Sequence, residues 1–253
     1  GEEMGTGLRE WVMVILLGVM ATLVCLPGKS TPYASETDEE LDRFLEEFVA
    51  KREKLRDYSA RFTQIKVSSL FDEEETSRGR VYYLRPGRIL WDYRSPDAMK
   101  LLVKDRVLSI YIEELEQLEI HDFTREKKMR GLFLGFDESS EELKELYDIT
   151  IVDPGEGEKG TCIKLVPKTE ELLSYFASVR LWLRRDDFAI YKILIIDPEE
   201  EGQTSIALSS IRVNRGVRAS VFEIEVPEGT EIIKYPHGEE ELGENTSLQD
   251  ETR

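Results

Sequence analysis

The stretch Gly79–Tyr111, GRVYYLRPGRILWDYRSPDAMKLLVKDRVLSIY, decides the fold. It predicts four short strands separated by turns. Val81 to Arg85 is rich in the β-branched and aromatic residues that suit a pleated surface. Pro86-Gly87 ends it, because proline fixes φ and removes a donor while glycine accepts turn geometry. In Ile89 to Arg94, Ile89, Trp91 and Tyr93 alternate with Leu90, Asp92 and Arg94, which is the two-residue period of a strand. Ser95-Pro96-Asp97 turns the chain again. Leu101 to Lys104 and Val107 to Ile112 follow, joined by a corner at Lys104-Asp105-Arg106. The centre of the chain is expected to be an antiparallel meander with one large apolar face.

Upstream, Thr37 to Arg56 predicts the clearest helix. Thr37 and Glu40 form a capping-box pattern. Leu41, Phe44, Leu45, Phe48, Val49 and Leu55 recur at steps of three and four, an apolar stripe for packing on the sheet. Asp57 to Ser69 reads as a strand, followed by an acidic loop at Asp72-Glu73-Glu74-Glu75. Beyond the meander, Glu113 to Phe123 continues the strand pattern. Arg125 to Arg130 is basic, and Gly131 to Phe136 is a short apolar patch. Ser139 and Glu142 open a second helix through Leu143, Leu146 and Tyr147. Strands are expected at Asp148 to Val152, Thr161 to Pro167, Ser178 to Arg185, Ala189 to Asp197, Ser205 to Asn214 and Val221 to Val226. The total is about ten or eleven strands joined mostly by short turns, which argues for an open antiparallel barrel covered by helices.

The N-terminal region has the pattern of a secretory signal. Met4 is a plausible initiator and Arg9 supplies a positive flank. The weakly polar-to-apolar run Trp11–Leu26 is sixteen residues long, short of the roughly 20 that span a bilayer. Gly28, Ser30 and Ala34 leave the cleavage point ambiguous, and an uncleaved anchor is the competing reading. Cys25 fits a lipidation site poorly, since Val24 stands where a small residue is needed. The chain therefore divides into residues 1–35 as signal peptide and linker, 36–236 as one domain, and 237–253 as an acidic tail, expected to be disordered for want of apolar residues.

Of 253 residues, 52 are acidic and 34 basic, a net charge of −18. That balance argues against nucleic-acid binding, which needs basic surface to displace counterions, and against adhesion to an anionic membrane face. With two cysteines and two histidines far apart, no metal-ligand spacing is present. Cys162 reads as a small buried apolar residue on a strand. No nucleophile elbow, phosphate loop or zinc spacing occurs, so the chain is not expected to be an enzyme and no cofactor is implied.

Several of these pieces carry a resemblance. The aromatic strand ending in Arg85-Pro86, the strand bearing Trp91, and Ser95-Pro96-Asp97 resemble the LolA-type periplasmic outer-membrane lipoprotein carriers. So do Phe62-Thr63-Gln64 in the first strand, the apolar segment Gly131 to Phe136, the strand TCIKLVP with its Pro167-Lys168 corner, and the closing Val226-Pro227-Glu228-Gly229. The resemblance spans residues 36–236. It implies an incomplete barrel covered by an N-terminal helix and a mid-chain helical lid, with an apolar cavity for lipoprotein acyl chains. It implies a monomer that takes cargo from an inner-membrane ABC-type release complex to an outer-membrane acceptor. It also implies a gating role for Arg85, whose five rigid donors could hold several lid carbonyls.

For the cavity lining, Phe44, Phe48, Phe62, Trp91, Tyr93, Leu101 and Val103 are the candidates. Strand parity pairs Trp91 with Tyr93 and Leu101 with Val103 on common faces without saying which face is concave. The rival reading of the same architecture is a non-catalytic envelope module that binds a lipid or protein, or acts as a sensor.

Overall fold

The computed structural model describes residues 36–68, 73–122, 140–198 and 202–236. The segment read as a signal peptide and linker, the greater part of the expected mid-chain lid and the acidic tail lie outside the described residues. Helix α1 spans Glu36–Glu53, and then β1 (Asp57–Ser68), β2 (Glu73–Leu84), β3 (Arg88–Ser95), β4 (Met99–Lys104), β5 (Val107–Ile112) and β6 (Gln117–Asp122) follow. After α2 (Ser140–Leu146) come β7 (Tyr147–Val152), β8 (Thr161–Pro167), the short α3 (Glu170–Leu173), β9 (Ser178–Leu183), β10 (Ile190–Ile196), β11 (Gly202–Val213) and β12 (Glu231–Pro236).

All twelve strands form one sheet, in the order β12-β6-β5-β4-β3-β2-β1-β11-β10-β9-β8-β7. Its two outermost strands, β12 and β7, do not pair, so the barrel is open. Every neighbouring pair is antiparallel except β12 with β6, which run parallel. The mainly β, open-barrel architecture is the expected one.

The concave face is apolar because alternate residues of each strand point to it. Tyr58, Ala60 and Phe62 of β1, Val81 and Tyr83 of β2, and Ile89 and Tyr93 of β3 all belong to the main core. Leu101 and Val103 of β4, Leu108 and Ile110 of β5, and Leu181 and Leu183 of β9 continue it around the curve. The stripe of α1 closes over this face, with Leu45 and Phe48 buried and Leu41, Phe44 and Leu55 packed beside them. The described part of the lid, α2, adds buried Leu143, and Lys144 Nζ reaches Asp42 of α1 at 2.5 Å.

Gly79 has a definite reason for being glycine. It lies opposite Phe62 in the β1–β2 register. A Cβ there would stand 2.1 Å from the Asp92 carbonyl oxygen and 2.7 Å from the Phe62 ring. The missing side chain lets Phe62 lie across β2 and reach Trp91 and Tyr93, at ring distances of 5.1 and 4.8 Å.

Three details differ from the sequence expectations. Glu73, Glu74 and Glu75 are not a loop but the start of β2, where Glu75 faces Lys66 of β1 in an opposite-charge cross-strand pair. Tyr147 belongs to β7 rather than to the helix before it. Val221 to Val226 is not a strand: Ala219–Phe222 form a 3₁₀ turn, within a segment that crosses the outer face. There Phe222 packs with Leu90 and Leu102, flanked by Val217, Val221 and Ile224. Its alternation records one-sided burial without a ladder. The last strand is instead β12.

Candidate functional site

Between α1 and the concave face lies an apolar cavity of about 270 Å³. Its floor is Val81, Trp91, Leu101, Val103 and Leu108, its far wall is Ile193, Ile206 and Leu208, and Phe48 and Leu55 of the α1 region form part of its roof. Lys51, Arg52, Lys54 and Asn214 stand at its edge. Tyr58, also on the lining, donates its hydroxyl to the Ile190 carbonyl at 3.0 Å. Burial pushes that phenol well above its ordinary range, so it stays a neutral donor.

Of the candidates drawn from sequence, Phe48, Trp91, Leu101 and Val103 line this cavity. Phe62 and Tyr93 share the concave face but sit in the layer beside it, edge-on to each other. The Tyr93 hydroxyl is occupied, donating to Gln64 Oε1 at 2.9 Å, and burial raises its pKa. Phe44 stacks on Phe48 at 6.1 Å, one helical turn along the stripe. Arg85 lies at the end of β2 with its side chain exposed, and its Nη1 donates to the carbonyl oxygens of Glu53 at 2.7 Å and Arg52 at 3.3 Å. Those are end carbonyls of α1, which have no partner within the helix, and a cation there also suits the helix dipole.

Two features escape the sequence reading. Phe188, in the β9–β10 turn, lines the cavity and packs edge-on against both Phe44 and Phe48, at 5.4 and 6.1 Å. Its φ of +54° is uncommon for a bulky residue. The turn holds it there: Arg184 and Asp187 form an ion pair, Asp187 Oδ1 accepts from the Ala189 N–H at 3.1 Å, and the Phe188 N–H donates to the Arg184 carbonyl at 3.0 Å. An aromatic residue directly after an Arg-x-x-Asp turn is the available signal. Lys51 Nζ adds a link from α1 to the same turn, donating to the Asp186 carbonyl at 2.9 Å.

The second feature is a clasp at the cavity edge. Asn214, just past β11, accepts at Oδ1 from the Arg56 N–H at 2.7 Å and donates from Nδ2 to the Lys54 carbonyl at 2.9 Å. The junction between α1 and β1 is thereby tied to the far end of β11.

Among the described residues, no group of three or more His, Cys, Asp or Glu is placed to hold a metal ion. Cys162 is fully buried in β8, and burial raises its thiol pKa. His121 stacks on Tyr235 at 4.6 Å, away from the cavity lining. No helix among the described residues is long and apolar enough to cross a membrane.

The outer-membrane lipoprotein carrier protein of Pseudomonas fluorescens is 27% identical over 183 residues, which cover 72% of this chain and 84% of that protein. That of Coxiella burnetii is 23% identical over 220 residues, covering 87% and 97%. The crystal structure of an uncharacterized conserved protein from Thermus thermophilus superposes with a TM-score of 0.47 at 14% identity, covering 75% of this chain and 98% of that one. The family model of the outer membrane lipoprotein carrier protein LolA matches residues 53–225, and the chain belongs to that family.

Proposed function

We propose that this protein is a periplasmic carrier that takes the acyl chains of lipoproteins into the cavity beneath α1 and moves them from the inner to the outer membrane. The observation that carries this reading is the cavity itself: an aromatic and aliphatic pocket, open at one edge, in a chain of the LolA family. Each methylene moved from water into such a lining contributes about 0.8 kcal/mol. The observed volume is near the lower end of the roughly 300–1,000 Å³ that ligand pockets span. A chain held there lies close against α1, and its entry and exit require α1 to lift from the sheet. Arg85 is the latch in this scheme, because its guanidinium holds the last carbonyls of α1 and must release them as the roof opens. An inner-membrane ABC-type complex would supply the cargo and an outer-membrane acceptor would receive it.

Native mass spectrometry of protein purified without detergent, with titration of a fluorescent acyl probe, tests the reading. The expected result is a bound acylated species and saturable probe binding, both lost in Trp91→Glu and Val103→Glu. An apo mass with no probe binding, or variants that bind as the parent does, would overturn it and favour a protein-binding envelope module of the same fold.

A further inference from the structure

We propose that the rim around the cavity mouth is a docking surface for an anionic lipid bilayer. The cavity reading gives this docking its purpose, but the docking does not depend on it. The β2–β3 turn, the β4–β5 turn, the junction of α1 with β1 and the exit from β11 all lie at one end of the sheet. They are side by side because β5, β4, β3, β2, β1 and β11 are consecutive in the strand order. On these loops Lys54, Arg56, Arg85, Arg106, Arg215 and Arg218 are exposed, against exposed Glu53 and Asp105. The opposite end of the same strands presents Glu74, Asp97, Glu113, Glu114 and Glu116. The exposed cations there include Arg94, held by Asp92 at 2.6 Å, and Arg78, opposite Ser95 in the β2–β3 register. The remaining part of the mouth end, the end of β6 and the β7–β8 and β9–β10 turns, is mixed in sign, with exposed Asp122, Asp153, Glu156 and Asp186 against exposed Lys159 and Arg185.

A chain of net charge −18 thus gathers exposed cations in an arc at one end. Charge total alone predicts repulsion from an anionic surface. Within a Debye length of about 8–10 Å, however, the local arc rather than the distant acidic end sets the interaction. Lys54 and Asn214 are both on the cavity lining and on this rim, so a bilayer docked there faces the cavity opening. The segregation also orients the molecule, since the acidic end is turned away from the same surface. Phosphate headgroups and a lipid-accepting cavity would then meet without any membrane-inserted helix.

Co-sedimentation of the full chain with vesicles tests this, comparing phosphatidylglycerol–phosphatidylcholine mixtures with phosphatidylcholine alone at low and high salt. The expected result is preferential partition onto the anionic vesicles that fades with salt. Combined Arg56→Gln, Arg215→Gln and Arg218→Gln should weaken it roughly a hundredfold, from the usual contribution of each basic residue near an anionic surface. The corresponding triple lysine variant should keep it, and Glu113→Gln with Glu114→Gln should not weaken it. Equal partition onto neutral and anionic vesicles, loss of binding in the lysine variant, or full binding by the glutamine variant would each overturn the proposal. So would binding to an acidic protein partner with none to vesicles. A neutral acyl probe separates the two readings: the rim variants should bind it as the parent does, while Trp91→Glu should lose it and still sediment with anionic vesicles.

Discussion

Asn214 and Asp57 hold each other's backbone: the Asn214 N–H donates to the Asp57 carbonyl at 2.8 Å, while Asn214 Oδ1 accepts from the Asp57 N–H at 3.3 Å. The buried Asp57 carboxylate then accepts from the Arg215 and Gly216 N–H groups, each at 2.9 Å. Asn214 is in the left-handed region at φ +54°, which asparagine tolerates better than most residues. Replacing it with alanine removes the three bonds made by its side chain and adds a conformational penalty, so Asn214→Ala should destabilise the fold by about 2–4 kcal/mol. Asn214→Gly relieves the backbone and should recover part of that loss. Urea unfolding of both variants measures the split; equal losses would mean that the backbone geometry is immaterial.

The Tyr93–Gln64 pair gives a second prediction. Both side chains are buried, and the hydroxyl–amide contact is a polar link inside an apolar face. Tyr93→Phe strands the Gln64 oxygen without its donor and should cost about 1–3 kcal/mol, whereas Tyr93→Phe with Gln64→Leu removes both polar groups and should return toward parental stability. A double-mutant cycle by chemical denaturation decides it. If the double variant is as unstable as the sum of the singles, packing rather than the stranded oxygen dominates.

How far these features can be read from sequence depends on how local their causes are. The stripe Leu41–Phe48 and the alternation through Ile89–Tyr93 are short-range patterns, and both reappear as the core they imply. Strand parity groups Trp91 with Tyr93, but does not say which of them borders empty space. That is set by where Phe62 lies, and hence by Gly79 on a neighbouring strand. The end of the domain departs from its pattern for a related reason. Val221 to Val226 alternates because Phe222 is buried against Leu90 and Leu102, and alternation alone cannot distinguish such a contact from a paired strand. Glu231–Pro236 carries little apolar signal for a strand. It needs only a place on the edge beside β6, where Ile232 remains exposed. The Asn214–Asp57 clasp joins residues 157 positions apart, beyond any local pattern.

The turn that presents Phe188 should respond to acid. Burial alone would raise the Asp187 pKa. The Arg184 guanidinium and the Ala189 N–H outweigh that effect and hold the carboxyl below its ordinary value. A carboxylate depressed in the folded state contributes stability that is fully present above its unfolded pKa, about 3.9, and is lost as pH falls through the lower folded value. The parent should therefore lose more stability than Asp187→Asn between about pH 5 and about pH 2.5, with the two curves converging at the acid end. Thermal unfolding followed by circular dichroism across that range reads the difference. Parallel curves would show that Asp187 makes no linked contribution.

The Arg85 contact with α1 bears on rate more than on affinity. Its guanidinium reaches two carbonyls of the helix end, and its exposure limits what those bonds contribute to about 0.5–1.5 kcal/mol. If α1 must lift for an acyl chain to enter or leave, weakening that contact lowers the opening cost for both directions. Arg85→Leu should accordingly speed probe uptake and release by up to about tenfold while changing the dissociation constant little. Arg85→Lys keeps a positive donor at the helix end but replaces the planar Nη1 that makes both bonds with an ammonium on a shorter, differently directed stem, so its rates should fall between those of the parent and the leucine variant. Stopped-flow mixing with a fluorescent acyl probe measures both directions. Unchanged rates in Arg85→Leu would remove Arg85 from the gate and leave the Asn214 clasp and the Phe188 contact as the restraints on α1.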